Sequence, residues 1–324
     1  MKKKLVTLGA GTGQANLLSA LAKYSDRLDI TAIVGVSDNG GHSGLLRSEF
    51  NIPQVGDSRQ CLIALSPPSQ LRDDYNYRDD LGNSRGNDRL AAATLEYGKL
   101  SLSLEQAAKE LGTKGRVLPV TDEVVDIAAV LTDDTRVVGE WQIIDRQPRT
   151  SIKGLYLEPS VEACHSSIQA VQEADFLVIS PGSLRTGIVA CLLAGGMSEA
   201  IQDTRAAIIM VVNLMTHPGQ TDGFTVQDHL DEFVRYAGRR PHFAIINQGS
   251  IPQHLLEHYA RIGSEPVGGE ITVPRTKPIY GDFIPRDNNF RVRQERVGDF
   301  KKWTHALVHD GTKLARAVTS IIHP

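Results

Sequence analysis

Cysteine is scarce in this chain of 324 residues: Cys61, Cys164 and Cys191 stand alone, odd in number and without a CxxC pair. That argues against a secreted disulfide framework and makes a reducing cytoplasm the expected location. Long apolar runs are missing as well. The basic start Met1-Lys2-Lys3-Lys4 leads only into Leu5-Val6-Thr7-Leu8 before glycine stops the run. Such a stretch is too short for the core of a signal peptide and far too short to span a bilayer. Charge of one sign is lacking too, since 35 Lys and Arg against 38 Asp and Glu leave a net charge of -3. Nothing there supports a globally basic nucleic-acid binder, so neither nucleic acid nor membrane is expected as a partner. No internal repeat, low-complexity linker, Ser-His-Asp pattern or Cys-His nucleophile pattern is readable.

What the sequence does have is rhythm. Short apolar runs alternate with amphipathic stretches, the pattern of a mostly parallel α/β sheet. The spacing predicts strands at 4–8 and 30–36, with a helix at 15–24 that carries Leu17, Leu18 and Leu21 on one face. The second strand is nearly all apolar, as a strand buried on both faces should be. Residues 66–88 turn polar and irregular, an excursion over the sheet or a flexible lid, and Ser103 reads as the cap of a helix reaching about residue 111. Between 116 and 157 several short runs, among them Val125-Asp126-Ile127, Val137-Val138 and Trp141-Gln142-Ile143-Ile144, predict a small antiparallel sheet layered on the parallel core. A helix at 160–172, a strand at 175–180, a helix at 188–201 and strands at 206–212 and 243–246 resume the first pattern. No clear period runs through 279–289, and 312–322 reads as a closing helix. The expected fold class is α/β, a doubly wound, mostly parallel Rossmann-like sheet with a small antiparallel elaboration. It is read as one domain over 1–324, with 66–157 as the elaboration and 280–324 as an irregular tail and closing helix.

Ten of the 29 glycines gather in polar loops that follow predicted strands. Four such loops, at 9–13, 37–44, 180–187 and 213–223, would meet at one edge of the sheet. Ligands of open α/β sheets bind at that edge. In the first loop Gly9, Gly11, Thr12 and Gly13 would let a diphosphate approach the backbone, with the following helix start supplying amide donors. A tight turn that needs glycine only for packing is the alternative. Gln14 stands where the dinucleotide motif GxGxxG requires its third glycine, and no GK[ST] of a Walker loop follows, which disfavours an NAD oxidoreductase. In the second loop Asp38 could accept from a ribose hydroxyl or ligate a metal, and Ser43 could donate to phosphate; an Asx-turn closing the strand is the alternative. Asp57 is equally a ligand or a plain N-cap. Ser180-Pro181-Gly182-Ser183 is a second anion cradle, with Arg185 able to face a further negative charge. In the fourth loop Thr225 and Asp228 resemble a capping box, which leaves the polar run upstream of Thr225 to function.

Taken in order, these segments resemble the CofD-like superfamily and, within it, the YvcK-type gluconeogenesis factors. The matching residues are Gly9-Ala10-Gly11-Thr12-Gly13, Asp38-Asn39-Gly40-Gly41-His42-Ser43-Gly44 with Arg47, and Gly56-Asp57-Ser58-Arg59-Gln60-Cys61-Leu62. To these are added the run 115–121, Gly139-Glu140, Pro181-Gly182-Ser183-Leu184 and the run 213–229. The family usually has glycine at Ala10, aspartate at Asn39, serine at His42 and tyrosine at Arg185. Its histidine before a Leu-Gly-Asn triplet corresponds to Asn83, with Arg85 in the leucine's place ahead of Gly86-Asn87. The chain is therefore similar to a divergent branch. The resemblance implies a nucleotide or nucleotide-sugar ligand, UDP-GlcNAc-like, held by Gly9, Gly11, Thr12, Gly13, Asp38, Asn39, Gly40, Gly41, Ser43, Asp57, Arg59, Asn87, Gly182, Ser183, Asn213, Thr216, Thr221 and Asp222. It implies Mg2+ accompanying the ligand diphosphate, with Asp38 as the metal residue. A regulatory role in carbon metabolism, cell-wall precursor supply and cell shape is implied as well. So are a homodimer and a protein partner in cell-wall regulation, neither of which the sequence itself shows. The rival from the same superfamily is a transferase that moves a phospholactyl-type group from a nucleotide diphosphate donor to a deazaflavin, with Tyr75, Tyr77, Trp141 and Tyr156 as the aromatic candidates for its acceptor.

Weaker signals have blander readings. His254 and His258 lie four apart on a predicted helix, but without a third ligand a solvated face is preferred to a metal site. Arg239-Arg240 and the stretch from Arg286 to Arg296 are locally basic, the latter interleaved with acids and read as solvated. The three cysteines are expected as small core residues.

Overall fold

Seven strands pair side by side into a single parallel sheet, and those at its centre are apolar runs too continuous to leave one face in water. The strands are β1 (Lys3–Gly9), β2 (Leu28–Val34), β3 (Arg116–Pro119), then, after three strands of a second sheet, β7 (Phe176–Ile179), β8 (Ala207–Val211), β9 (Phe243–Asn247) and β10 (Lys277–Gly281). The computed structural model describes residues 1–272, 275–286, 294–297, 300–303 and 307–323. Most of the basic stretch that runs from Arg286 to Arg296 lies outside the described residues. The sheet order is β10-β9-β8-β7-β1-β2-β3, with Leu8 opposite Ile33 on one side and Ile179 on the other. This is the doubly wound arrangement, and the strand order reverses between β1 and β7.

The chain leaves β1 and β7 in opposite directions along the sheet, so right-handed crossovers place its helices on opposite faces. Helix Gly11–Leu21 packs against Gly56–Leu65 and against the closing helix Gly311–Ile322. Helices His165–Gln172, Met197–Asp203 and Val226–Ala237 form the second group. Strand residues Leu5, Leu8, Ile30, Ile33, Leu177, Ile179, Ile208 and Ile245 are buried, and one apolar cluster runs from Leu5 to Ile322.

The small antiparallel sheet is present, in the order β5-β4-β6, from β4 (Asp126–Leu131), β5 (Arg136–Val138) and β6 (Ile152–Glu158). Arg47 anchors it: Nη1 donates to Asp126 at 2.7 Å and Nη2 to the Val125 carbonyl at 2.9 Å. A two-stranded hairpin, β11 (Gln294–Val297) with β12 (Phe300–Trp303), lies in the tail.

Several expectations change. The run Trp141-Gln142-Ile143-Ile144 is not a strand but part of helix Glu140–Asp145, because Gly139 at φ 101 ends β5 in a turn. The stretch 37–44 is not a loop throughout, since helix Gly41–Phe50 begins inside it. Ser103 is no cap: it lies buried inside helix Leu100–Leu111, its hydroxyl 2.9 Å from that of Thr94, and Lys99 holds the cap position. The region 66–88 holds a short helix, Gln70–Asn76, capped by the Ser69 side chain. The helix expected over 188–201 breaks at Gly195-Gly196. There Gly196 has φ 84, and a Cβ on Gly195 would meet the Glu162 carboxylate at 2.5 Å. β10, which overlaps the start of the stretch without a period, is an edge strand half in water, which blurs the apolar alternation.

Candidate functional site

Beyond the carboxyl ends of β1, β2, β7 and β8 opens a cleft of about 1190 Å³. Loops after all four strands contribute to it, at the switch point between β1 and β7. Of the residues expected to bind a ligand, Gly11, Thr12, Gly13, Asp38, Gly40, Gly41, Ser43, Asp57, Asn87, Gly182, Ser183 and Asn213 line it.

The glycines divide into two kinds. Gly11 (φ +71) and Gly41 (φ +59) take left-handed backbone, and a Cβ on either would meet nothing within 4 Å. Each opens a helix, Gly11–Leu21 and Gly41–Phe50, with no acidic residue in its first turn. The first amides of a helix lack intrahelical acceptors and carry the positive end of its dipole. Gly13 answers to packing instead, since a Cβ there would lie 2.1 Å from the Pro181 carbonyl oxygen. The loops after β1 and β7 touch at this point. Gln14, which occupies the third-glycine place, is fully buried and donates to the Ile33 carbonyl at 3.0 Å and the Thr7 hydroxyl at 3.1 Å. It seals the joint between β1 and β2 where a dinucleotide fold needs glycine.

The second loop is built around Asp38, whose Oδ1 accepts from the Gly40 amide at 2.8 Å, an Asx-turn at the cleft wall. Ser43 Oγ accepts from the amides of Val55 and Gly56 at 3.1 and 3.0 Å, which fixes the start of helix Gly56–Leu65. Asp57 is not its N-cap, a position held by Val55; it sits in the first turn, on the cleft. Asn39 does not line the cleft. It accepts from the Trp141 amide at 2.9 Å and donates to Gln142 at 2.8 Å, pinning helix Glu140–Asp145. His42 also braces the wall: its Nδ1 accepts from the Ser84 amide at 2.9 Å, and Nε2 is 3.3 Å from Asp88.

Ser183 stands in a hydrogen-bonded chain from Glu140 through Thr186 and Ser183 to Gln220, each link 2.7–2.8 Å. Arg185 does not face the cleft. It is buried, paired to buried Glu232 at 2.6 Å and stacked over Phe224 at 4.9 Å, so its charge serves the protein interior. In the fourth loop only Asn213 of the four expected residues reaches the cleft. Its Oδ1 lies 3.5 Å from the Gly182 amide, and its buried Nδ2 has no partner among the described residues. Thr216 and Thr221 are spent on the loop, accepting from the amides of Glu265 at 2.9 Å and His217 at 2.8 Å, while Asp222 is exposed. Gly9 lies below the cleft, its carbonyl accepting from the Gly35 amide at 2.9 Å. Cys61 and Cys191 are buried beneath the site, and burial pushes the Cys191 thiol up to about 12, as suits core residues rather than nucleophiles.

No group of three or more His, Cys, Asp or Glu able to hold a metal occurs among the described residues. The donor set fits magnesium only as an ion shared with the ligand, Asp38 giving one oxygen and phosphate oxygens with water the rest. His254 and His258 both lie on helix Gln253–Arg261, and His258 turns to the cleft rather than to a metal site.

Sequence reasoning missed part of the lining. Glu140, Arg149, His258, Arg261 and the segment Leu307, Val308 and His309 all face the cleft. Glu140 lay within a matched motif and His258 on a predicted helix read as solvated, while Arg149 and 307–309 come from segments without a period. His309 is buried, and burial lowers its imidazole to about 4.

A family model described as "2-phospho-L-lactate transferase CofD" matches residues 5–282. The chain is 35% identical over 278 residues to the gluconeogenesis factor of Bacillus subtilis, covering 83% of this chain and 86% of that one. It is 36% identical over 306 residues to a Thermotoga maritima protein given that name in qualified form, covering 91% and 96%. A crystal structure of a UPF0052 family member from Bacillus halodurans superposes with a TM-score of 0.88 at 30% identity, covering 98% of this chain and 99% of that one.

Proposed function

From the premise that this chain belongs to the CofD family and to the branch of the gluconeogenesis factors, we propose that it is a regulatory protein that binds a nucleotide sugar of the UDP-GlcNAc kind. The observation that carries this reading is the pair of open, left-handed glycines, Gly11 and Gly41, each starting a helix at the switch point. Two adjacent helix starts, free of acidic side chains in their first turns, suit the two phosphates of a diphosphate. The unpartnered Asn213 Nδ2 suits a carbonyl acceptor on the base or sugar. Asp38 would face the ribose or a magnesium ion carried by the diphosphate. In this reading the ligand reports precursor supply to carbon metabolism, the cell wall and cell shape, through a protein partner.

Calorimetry against UDP-GlcNAc, UDP-glucose, GDP and NAD tests it. The expected outcome is micromolar binding of a uridine diphosphate sugar; millimolar or weaker binding of every uridine ligand overturns it. Product formed from a deazaflavin acceptor, a nucleotide diphosphate donor and magnesium would assign the transferase chemistry instead.

A further inference from the structure

Arg59 is an unusual wall for an anion site because it never touches the cleft. It is 2% exposed, and its guanidinium makes only neutral contacts: Nε donates to Asn87 Oδ1 at 2.8 Å and Nη1 to the Tyr75 carbonyl at 3.1 Å. Asp57 acts on it at longer range, and no carboxylate pairs with it among the described residues. Burial lowers its guanidinium to about 10. A buried arginine usually sits against a carboxylate, since an uncompensated buried charge is costly. The fold nonetheless makes room for it, because a Cβ on Gly86 would strike Arg59 Cδ at 2.7 Å.

Its partner explains the arrangement. Asn87 is 2% exposed, lies in the first turn of helix Arg85–Tyr97 and lines the cleft. With Oδ1 occupied by Arg59, the amide has one remaining polar group, Nδ2, which donates to no protein group among the described residues. An asparagine fixed this way offers donors only.

We propose that Arg59 is a positioning residue: it locks the Asn87 amide with its NH2 toward the cleft, making this wall selective for an anionic, diphosphate-bearing ligand. The proposal rests on the nucleotide-sugar reading above. Arg59 then acts on the ligand through the Asn87 amide that it holds, without touching the ligand itself. Aspartate at position 87 would keep the Arg59 contact and pair the buried charge, but would put a carboxylate on the cleft.

Two variants of the full chain, Asn87→Ala and Asn87→Asp, separate this role from a structural one. Thermal unfolding is expected to rank Asn87→Asp at or above the wild type and Asn87→Ala below it. Calorimetry with UDP-GlcNAc is expected to rank them in a different order: wild type tightest, Asn87→Ala weaker, and Asn87→Asp weakest by at least tenfold. Affinities that follow the melting temperatures would overturn the proposal. A double-mutant cycle tests the positioning part. In an Arg59→Lys background, Asn87→Ala should cost no further affinity; a full additional loss would show that Asn87 needs no orientation by Arg59. If the wild type binds none of the four nucleotides, the nucleotide-sugar reading falls, and this proposal with it.

Discussion

At the scale of single residues, the two kinds of glycine in the first loop separate function from packing. Gly13 is the tightest point, with the Pro181 carbonyl oxygen 2.1 Å from where a Cβ would stand. Gly13→Ala must therefore push the loops after β1 and β7 apart. Overpacking of this kind costs about 1–3 kcal/mol, and the variant is expected to melt earlier and bind nucleotide more weakly. A variant with unchanged melting and affinity would show that the two loops part freely. The glycine loop was visible in the sequence, but the division of labour within it was not, because a glycine needed for φ and one needed for clearance look alike. Arg185 shows the same limit. Its place beside Pro181-Gly182-Ser183 suggested a ligand contact, and only the tertiary fold brings Glu232, 47 positions away, to neutralise it.

Elements were most legible where local signals and burial agree. The strands at the sheet centre are buried on both faces and read as nearly unbroken apolar runs. The Thr225 capping box is reciprocal, Thr225 Oγ1 accepting from the Asp228 amide while Asp228 accepts from the Thr225 amide at 2.8 Å. Thr225→Ala should cost about 1 kcal/mol, seen as a melting point lower by about 2–3 °C with nucleotide affinity unchanged. Helix starts inside glycine-rich segments were hard to read, since Gly40-Gly41 carries poor helix propensity and tertiary contacts decide. Gly41–Phe50 is held by Ser43 at one end and Arg47 at the other. Helix Glu140–Asp145 was hidden because a six-residue helix and a strand share the same apolar content.

For the molecule as a whole, the tail completes the site. His309 is buried against the Val212 backbone at the end of β8 and lines the cleft. Its imidazole is lowered from 6.5 to about 4 by burial, so the unfolded chain binds the proton more readily than the folded one. The stability it contributes is present above pH 6.5 and is lost as the pH falls toward 4, by roughly 3 kcal/mol at most. Buried His229 is shifted in the same direction. Melting curves of the wild type and His309→Gln between pH 8 and 4 check this: the wild type should lose more stability on acidification. Parallel curves would remove His309 from the acid response.

Asn16, in the first helix of the chain, donates to the His309 carbonyl, and the two residues are separated by 293 positions. A Cβ on Gly311 would lie 2.5 Å from the Asn16 carbonyl oxygen, so the closing helix sits directly on the first one. A ribosome finishes helix Gly11–Leu21 long before it reaches residue 307. Until then the surface that will receive Gly311–Ile322 stays bare, and the cleft lacks the wall that His309 provides. Until residues 307–322 are made, the nascent chain therefore presents an open apolar helix face of the kind that chaperones bind.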